Sequence, residues 1–186
     1  MEIWNNQLLC LILRKDLCGM KRNLLIELLE TGEKVSLYSP RFEGEKYTEF
    51  EKFLLAYKDI YAQDIQILVR RIDIIKSCGA EDRYFRYEGT THDRVMALPS
   101  HLDTSNLRLY CLNIEHKILI LGNGGPKSTK TYQEDAHLHR AVQNLQKIDI
   151  EIKRLENKRI IVVNGTNLNG PLELMIDIED KEEVII

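Results

Sequence analysis

The sequence lacks several features that would assign it to a class at once. No hydrophobic run reaches the roughly 18 residues that a membrane-spanning helix needs, and no internal repeat is visible. The four cysteines have no CxxC or other metal-ligand spacing, so we expect reduced thiols in a cytoplasmic protein: Cys10, Cys18, Cys78 and Cys111. Hydrophobic residues make up 44% and charged residues 30% of the 186-residue chain, which favours one folded domain with extensions over disorder.

A large excess of positive charge is also missing. The chain has a net charge of −3, whereas a protein dedicated to nucleic acid is usually strongly basic. Residues 34–158 contain 20 basic and 18 acidic residues, a net charge of +2. Residues 159–186 contain 2 basic and 6 acidic residues, a net charge of −4. Any site for RNA must therefore be a local cluster of basic side chains.

Composition divides the chain into three parts. Residues 1–33 are predicted to be an N-terminal extension, within which Met20 is a candidate for the natural start. The basic residues there follow the apolar run at 8–13 instead of preceding it, so no secretory signal is predicted. Residues 34–157 are the predicted domain. Residues 158–186 are a predicted acidic C-terminal extension with one or two strands or a docked hairpin, because its first residues are apolar and β-branched.

Three helices are predicted from apolar residues at helical spacing. Thr48 and Glu51 have the spacing of a capping box at the start of the first helix. The second is expected from Ala62 to about Ser77, with Gly79 as the residue that ends it. A third, longer helix is expected at 134–156.

Strands are predicted at residues 35–38, 84–87, 94–98, 107–114 and 117–121. Pro40 is expected to end the first of them, and residues 122–126, rich in glycine, are expected to break the sheet after the last. The last two strands are separated by a tight turn and predict a hairpin. The order of the elements favours an α+β fold.

Alternation within the hairpin assigns its side chains to two faces. Leu107, Leu109 and Cys111 fall on one face, and Arg108 and Tyr110 fall on the other. We expect an Arg108 that is exposed beside the sheet, and burial of this residue against the helices would count against a functional role.

The most informative segment is Gly122 to Tyr132, which follows a central strand and precedes a helix. Glycines let backbone N–H groups approach an anion closely, and the lysines and hydroxyls that follow suit phosphate oxygens. The alternative is that the glycines only shape a turn and the lysines are solvated. The segment does not match a nucleotide-binding P-loop, because Pro126 precedes the Lys-Ser pair where glycine is required.

Three segments in this order resemble the RelE/HigB-like toxins. They are the strand 107–111, the apolar strand 118–121 with Gly122, and the loop 127–131, which a helix follows. Ser128 stands where a second lysine is common in that family. The resemblance covers residues 34–157. It implies a small, mostly antiparallel sheet with helices on one side, two N-terminal helices and a C-terminal helix packing on it. It also implies an endoribonuclease that cuts mRNA on the ribosome and is neutralised by an antitoxin, for which a helix-turn-helix protein is expected.

RNA can be cleaved when its own 2′-hydroxyl attacks the adjacent phosphate, which requires a base, an acid and cations but no metal or cofactor. The candidate catalytic residues are Arg108, Lys127, Lys130 and Tyr132. The candidate RNA-binding residues are Arg86, His92, Ser128 and Thr129. For Arg86 a place among half-buried sheet aromatics is an equal alternative, and for His92 an exposed loop position without a role is the alternative. A non-catalytic module that binds a protein partner is the rival function, favoured by the near-neutral charge.

Overall fold

A computed structural model describes residues 20–100, 103–127 and 131–178. It contains a seven-stranded sheet in the order β3-β4-β5-β6-β2-β1-β9 and a separate two-stranded hairpin, β7-β8. Within the sheet only β2 and β6 run parallel to each other, so the α+β class and the mostly antiparallel sheet are confirmed. The sheet is larger than the small one that was expected, because β1 and β9 extend it. The strands are β1 Met20–Glu30, β2 Ser36–Phe42, β3 Arg86–Tyr87, β4 Val95–Leu98, β5 Leu107–Ile114, β6 Ile118–Pro126, β7 Val162–Asn164, β8 Asn167–Asn169 and β9 Glu173–Ile178.

Helices cover both faces of this sheet. Helices α1 (Glu49–Tyr57) and α2 (Ala62–Cys78) pack on one face, and α3 (Ala136–Asn157) packs on the other. The expectation of helices on one side is therefore wrong. The reason lies in β6, where Leu119 and Leu121 face α1 and α2 while Ile118 and Ile120 face α3. A strand that is apolar on both sides needs a covering layer on each.

The predicted capping box of α1 and the predicted end of α2 are confirmed, whereas α3 begins two residues later than expected, after a 3-10 turn. Thr48 accepts a hydrogen bond from the Glu51 backbone N–H, and the Glu51 carboxylate accepts one from the Thr48 backbone N–H, which completes the capping box of α1. Helix α2 ends at Cys78, and the Gly79 that follows has a φ of 111°, a conformation that favours glycine. Helix α3 begins at Ala136, where the Asp135 side chain accepts from the backbone N–H groups of the first turn.

Pro40 does not end its strand, and β2 continues through it to Phe42. The Ser36 backbone N–H donates to the carbonyl oxygen of Lys117, just before β6. Because backbone N–H groups alternate between the two edges of a strand, the nitrogen of Pro40, four residues later, points to the same edge. The β2–β6 pairing has already ended at Tyr38, so no hydrogen bond is lost at Pro40. On its other side β2 stays paired with β1, where Pro40 lies opposite Ile26.

The glycine-rich segment 122–126 does not break the sheet either. Strand β6 continues through it and pairs with β5 as far as Pro126, with an irregularity in register between Leu109 and Cys111 of β5. The glycines permit close packing. A Cβ at Gly124 would overlap the Arg108 carbonyl oxygen, and a Cβ at Gly122 would lie 2.9 Å from the Leu145 side chain.

This difference between the two glycines predicts a difference in stability. Gly124→Ala should destabilise the protein by about 1–3 kcal/mol, because the new methyl group meets backbone that cannot move without separating β5 from β6. Gly122→Ala is the matched control and should cost less, since it meets only the flexible end of the Leu145 side chain. Denaturant unfolding of both variants measures the effect, and equal losses of unfolding free energy would contradict this account.

The chain on either side of the predicted domain also joins the fold. Strands β1 and β9 pair with each other in the main sheet, and Tyr38 Oη accepts a hydrogen bond from the Leu168 backbone N–H of the β7-β8 hairpin. The expected strands and hairpin near the C-terminus are thus confirmed. The predicted strand at 84–87 is shorter than expected, because Asp82–Tyr84 form a 3-10 turn before the two residues of β3. The domain boundaries at 33 and 158 stay predictions, and residues 1–19 lie outside the described residues.

Candidate functional site

The central hairpin positions the site. Its predicted faces are confirmed for the apolar residues: Leu107, Leu109 and Cys111 pack towards α1 and α2, whereas Tyr110 packs towards α3. On the α3 side, a small cavity of about 20 Å³ lies beside the start of β5. It is lined by Glu88, Arg108, Tyr110, Lys127, Thr131, Tyr132 and Leu138.

Three of the four predicted catalytic residues meet at this cavity: Arg108, Lys127 and Tyr132. Their convergence follows from the pairing of β5 with β6, which places Arg108 opposite Gly125 and brings the end of β6 alongside it. The Lys127 backbone N–H also donates to the Asn106 carbonyl oxygen, 2.7 Å away, which holds the chain beside β5 past the last strand pair. The remaining catalytic candidate, Lys130, and the RNA-binding candidates Ser128 and Thr129 lie outside the described residues.

The expectation of an exposed Arg108 is wrong, because only 5% of the residue is exposed. Its Nη1 donates to the carbonyl oxygens of Ser105, at 2.9 Å, and Leu107, at 2.8 Å. Its buried Nε has no hydrogen-bond partner, and no carboxylate forms an ion pair with the guanidinium, among the residues that the structure describes. Burial, followed by the charge of Arg86, lowers the pKa of Arg108.

A buried guanidinium without a carboxylate partner is unusual. A buried donor left without an acceptor costs about 1–3 kcal/mol, and buried charges are normally paired. The burial of Arg108 beside α3 is the outcome that counts against a functional role, so exposure gives no support for one, and the case for a role rests on the unpartnered Nε and on the absence of an ion pair among the described residues. An anion that enters the cavity would satisfy both the charge and the free donor.

Tyr132 lies in a 3-10 turn before α3, with its ring at the cavity. The ring stacks on His139 at a centroid distance of 6.0 Å and an interplanar angle of 17°, and it meets Tyr110 edge-on at 6.2 Å. Burial raises the pKa of Tyr132, and the negative charges of Asp93 and Glu88 raise it further. The phenol therefore keeps its proton at neutral pH and can donate it.

Glu88 is the residue at this site that sequence reasoning missed. It follows β3, whose Arg86 lies opposite Ala97 of β4, and Ala97 in turn lies opposite Tyr110 of β5. This pairing brings a carboxylate from a separate part of the chain to the cavity that Arg108 also lines. The only signal in the sequence was the alternation that assigns Glu88 to the same face as Arg86.

The two remaining RNA-binding candidates lie outside the cavity lining. Arg86 is close enough to affect the pKa of Arg108, and its guanidinium donates to the carbonyl oxygens of Pro99 and Ser100. His92 is in an exposed turn, where its carbonyl oxygen accepts from Lys153 in the second half of α3. The structure thus brings Arg86 near the site, and it does not bring His92 to the cavity.

A series of hydrogen bonds holds the end of β6 from both faces of the sheet. Glu49 of α1 accepts from the Asn123 side chain at 2.9 Å, and the Asn123 oxygen accepts from the Gly124 backbone N–H at 2.8 Å. The Gly124 carbonyl accepts from His137 Nε2 of α3, also at 2.9 Å, so this nitrogen carries a proton. Burial raises the pKa of Glu49 against the opposing effect of its hydrogen bond from Asn123. These contacts fix the backbone just before Lys127.

Among residues 20–100, 103–127 and 131–178, no cluster of three or more His, Cys, Asp or Glu side chains could hold a metal ion. None of the helices described is both long and apolar enough to cross a membrane.

Comparison of the chain with protein-family models, with curated proteins and with solved structures found no match.

Proposed function

We propose that this chain is an endoribonuclease that cleaves RNA without a metal ion and acts as the toxin of a toxin–antitoxin pair. The observation that carries the proposal is the buried guanidinium of Arg108, which forms no ion pair among the described residues and has an unpartnered Nε, in a cavity that Lys127, Tyr132 and Glu88 share. The resemblance to the RelE/HigB-like toxins in the segment 107–131 supports the same function. It extends the proposal to mRNA on the ribosome in the cytoplasm and to a helix-turn-helix antitoxin as partner.

The four side chains can be assigned to the steps of the reaction. The Glu88 carboxylate takes the proton of the 2′-hydroxyl, and the resulting oxyanion attacks the adjacent phosphorus. Arg108 and Lys127 stabilise the negative charge that builds up on the phosphate oxygens in the transition state. Tyr132 gives its proton to the departing 5′ oxygen. The products are a 2′,3′-cyclic phosphate and a 5′-hydroxyl, so protons and bonds balance.

The surroundings of the cavity suit a single-stranded substrate. The ring of Tyr132, which lines the cavity, is stacked on the ring of His139. Aromatic rings beside cations are typical of surfaces on which unpaired bases stack. This arrangement is compatible with the near-neutral net charge, because the binding would rest on a few residues and not on the field of the whole protein.

The proposal predicts that expression of the wild-type chain stops bacterial growth. Purified protein should cleave mRNA, tested with and without ribosomes, and the fragments should end in a 2′,3′-cyclic phosphate and begin with a 5′-hydroxyl. Mass spectrometry of the fragments identifies both ends. If the protein binds a partner but leaves RNA intact under both conditions, the rival function, a non-catalytic binding module, replaces this one.

A further inference from the structure

We infer that the cavity beside Arg108 receives one particular non-bridging oxygen of the scissile phosphate, so that the enzyme distinguishes the two faces of that phosphate. This inference rests on the proposed function and adds a binding geometry to it. The cavity measures about 20 Å³, which is close to the space that one water molecule needs. A whole phosphodiester group is far too large to enter, whereas a single oxygen atom fits.

The donors of the cavity wall suit such an oxygen, whereas the Glu88 carboxylate, which also lines the cavity, repels it. Arg108, 95% buried and with its Nε free of partners among the described residues, forms one side. Lys127 and the protonated Tyr132 hydroxyl provide further donors around the opening. The apolar side chain of Leu138, only 2% exposed, closes another side and prevents the oxygen from being replaced by a larger group.

The position of the cavity between two layers fixes the direction of entry. Its lining comes from β5, from the residue after β6, from the chain just before α3, from the residue after β3, and from the first turn of α3. The rest of the phosphate and both ribose groups must therefore stay at the opening, next to exposed Lys127. The two non-bridging oxygens of an RNA phosphate are not equivalent by symmetry, and only one of them can point inward when the strand runs in a fixed direction.

Sulfur is the probe for this arrangement, because it is larger than oxygen and a weaker hydrogen-bond acceptor. The experiment first maps a cleavage site in all-oxygen RNA, then uses the same RNA with a single Rp or Sp phosphorothioate at that linkage. EDTA is present throughout, so that coordination of a metal ion cannot produce the preference. One diastereomer should be cleaved at least about tenfold more slowly than all-oxygen RNA, while the other stays within about threefold of it.

Variants of the cavity wall provide a second measurement. Leu138→Ala and the milder Leu138→Val enlarge the space and should reduce the ratio between the two diastereomers. Leu145→Ala is the matched control, because Leu145 is equally buried on the same helix but packs against Gly122 and should leave the ratio unchanged. If a variant fails to fold, the ratio measured with the wild type still decides the question.

The possible failures are distinguishable. If all-oxygen RNA is not cleaved, the proposed function is wrong and this inference falls with it. If all-oxygen RNA is cleaved but both diastereomers react at equal rates, whether slowed or not, the function stands and the single-oxygen cavity is wrong. A wild-type preference that Leu145→Ala reduces as much as Leu138→Ala would also overturn the assignment to this cavity.

Discussion

Arg108→Met should lower the rate of RNA cleavage by about 100- to 1,000-fold, the usual effect of removing one donor that stabilises an oxyanion in the transition state. The loss should leave the protein folded. Methionine fills much of the same buried space and removes a buried charge that has no ion pair among the described residues, which is favourable. The carbonyl oxygens of Ser105 and Leu107 lose their donor, which is unfavourable. These effects oppose each other, so the unfolding free energy should stay within about 1–2 kcal/mol of the wild-type value.

The rate is measured on RNA at saturating and limiting concentrations, and stability by denaturant unfolding. Arg83→Met is the control, because Arg83 is an exposed arginine paired with Glu81 on the surface and should change neither value. Lys127→Ala should also slow cleavage, and it should hardly affect unfolding, since exposed charges contribute about 0–1 kcal/mol. Normal cleavage by both Arg108→Met and Lys127→Ala would show that the site lies elsewhere.

The elements that sequence alone could predict are those with local signals. The capping box of Thr48 and Glu51 and the alternation of residues 107–114 depend only on neighbouring residues, and both are confirmed. The glycine-rich segment 122–126 was misread because its composition is typical of a turn. The reason for its glycines is the close approach of Gly124 to the Arg108 backbone, which only the paired strands create.

The site was predictable only in part for the same reason. Lys127 and Tyr132 lie in the segment 122–132, which stands out in the sequence. Glu88 is 20 residues before Arg108 in the sequence, and only the pairing of β3, β4 and β5 brings it to the cavity. The burial of Arg108 was not predictable either, because it depends on Leu138 and on the packing of α3 against the sheet. Alternation assigns a residue to a face, and it does not say whether that face is covered.

Glu88→Gln should lower the rate of cleavage by about 100- to 10,000-fold, the range expected when a general base is removed, and should leave RNA binding as tight as before or tighter. Binding should not weaken, because the substitution removes a negative charge beside the phosphate while Arg108 and Lys127 remain. A fall in kcat without a rise in KM is thus the expected result, and it differs from the pattern of a residue that only holds the substrate. Glu33→Gln, at an exposed residue away from the cavity, is the control.

The same base assignment can be tested from the substrate side. RNA with a single 2′-deoxy nucleotide at the scissile position has no hydroxyl for Glu88 to deprotonate, so it should bind the wild type and resist cleavage at that linkage. The 2′-deoxy RNA should show no cleavage by the wild type at that linkage, because it has no nucleophile. Glu88→Gln on normal RNA should keep a slow residual rate, because its 2′-hydroxyl can still attack without the base. Full activity of Glu88→Gln together with resistance of the 2′-deoxy RNA would keep the reaction and assign the base to another residue. Cleavage of the 2′-deoxy RNA at the normal rate would mean that the 2′-hydroxyl is not the nucleophile, and Glu88 would have no proton to take.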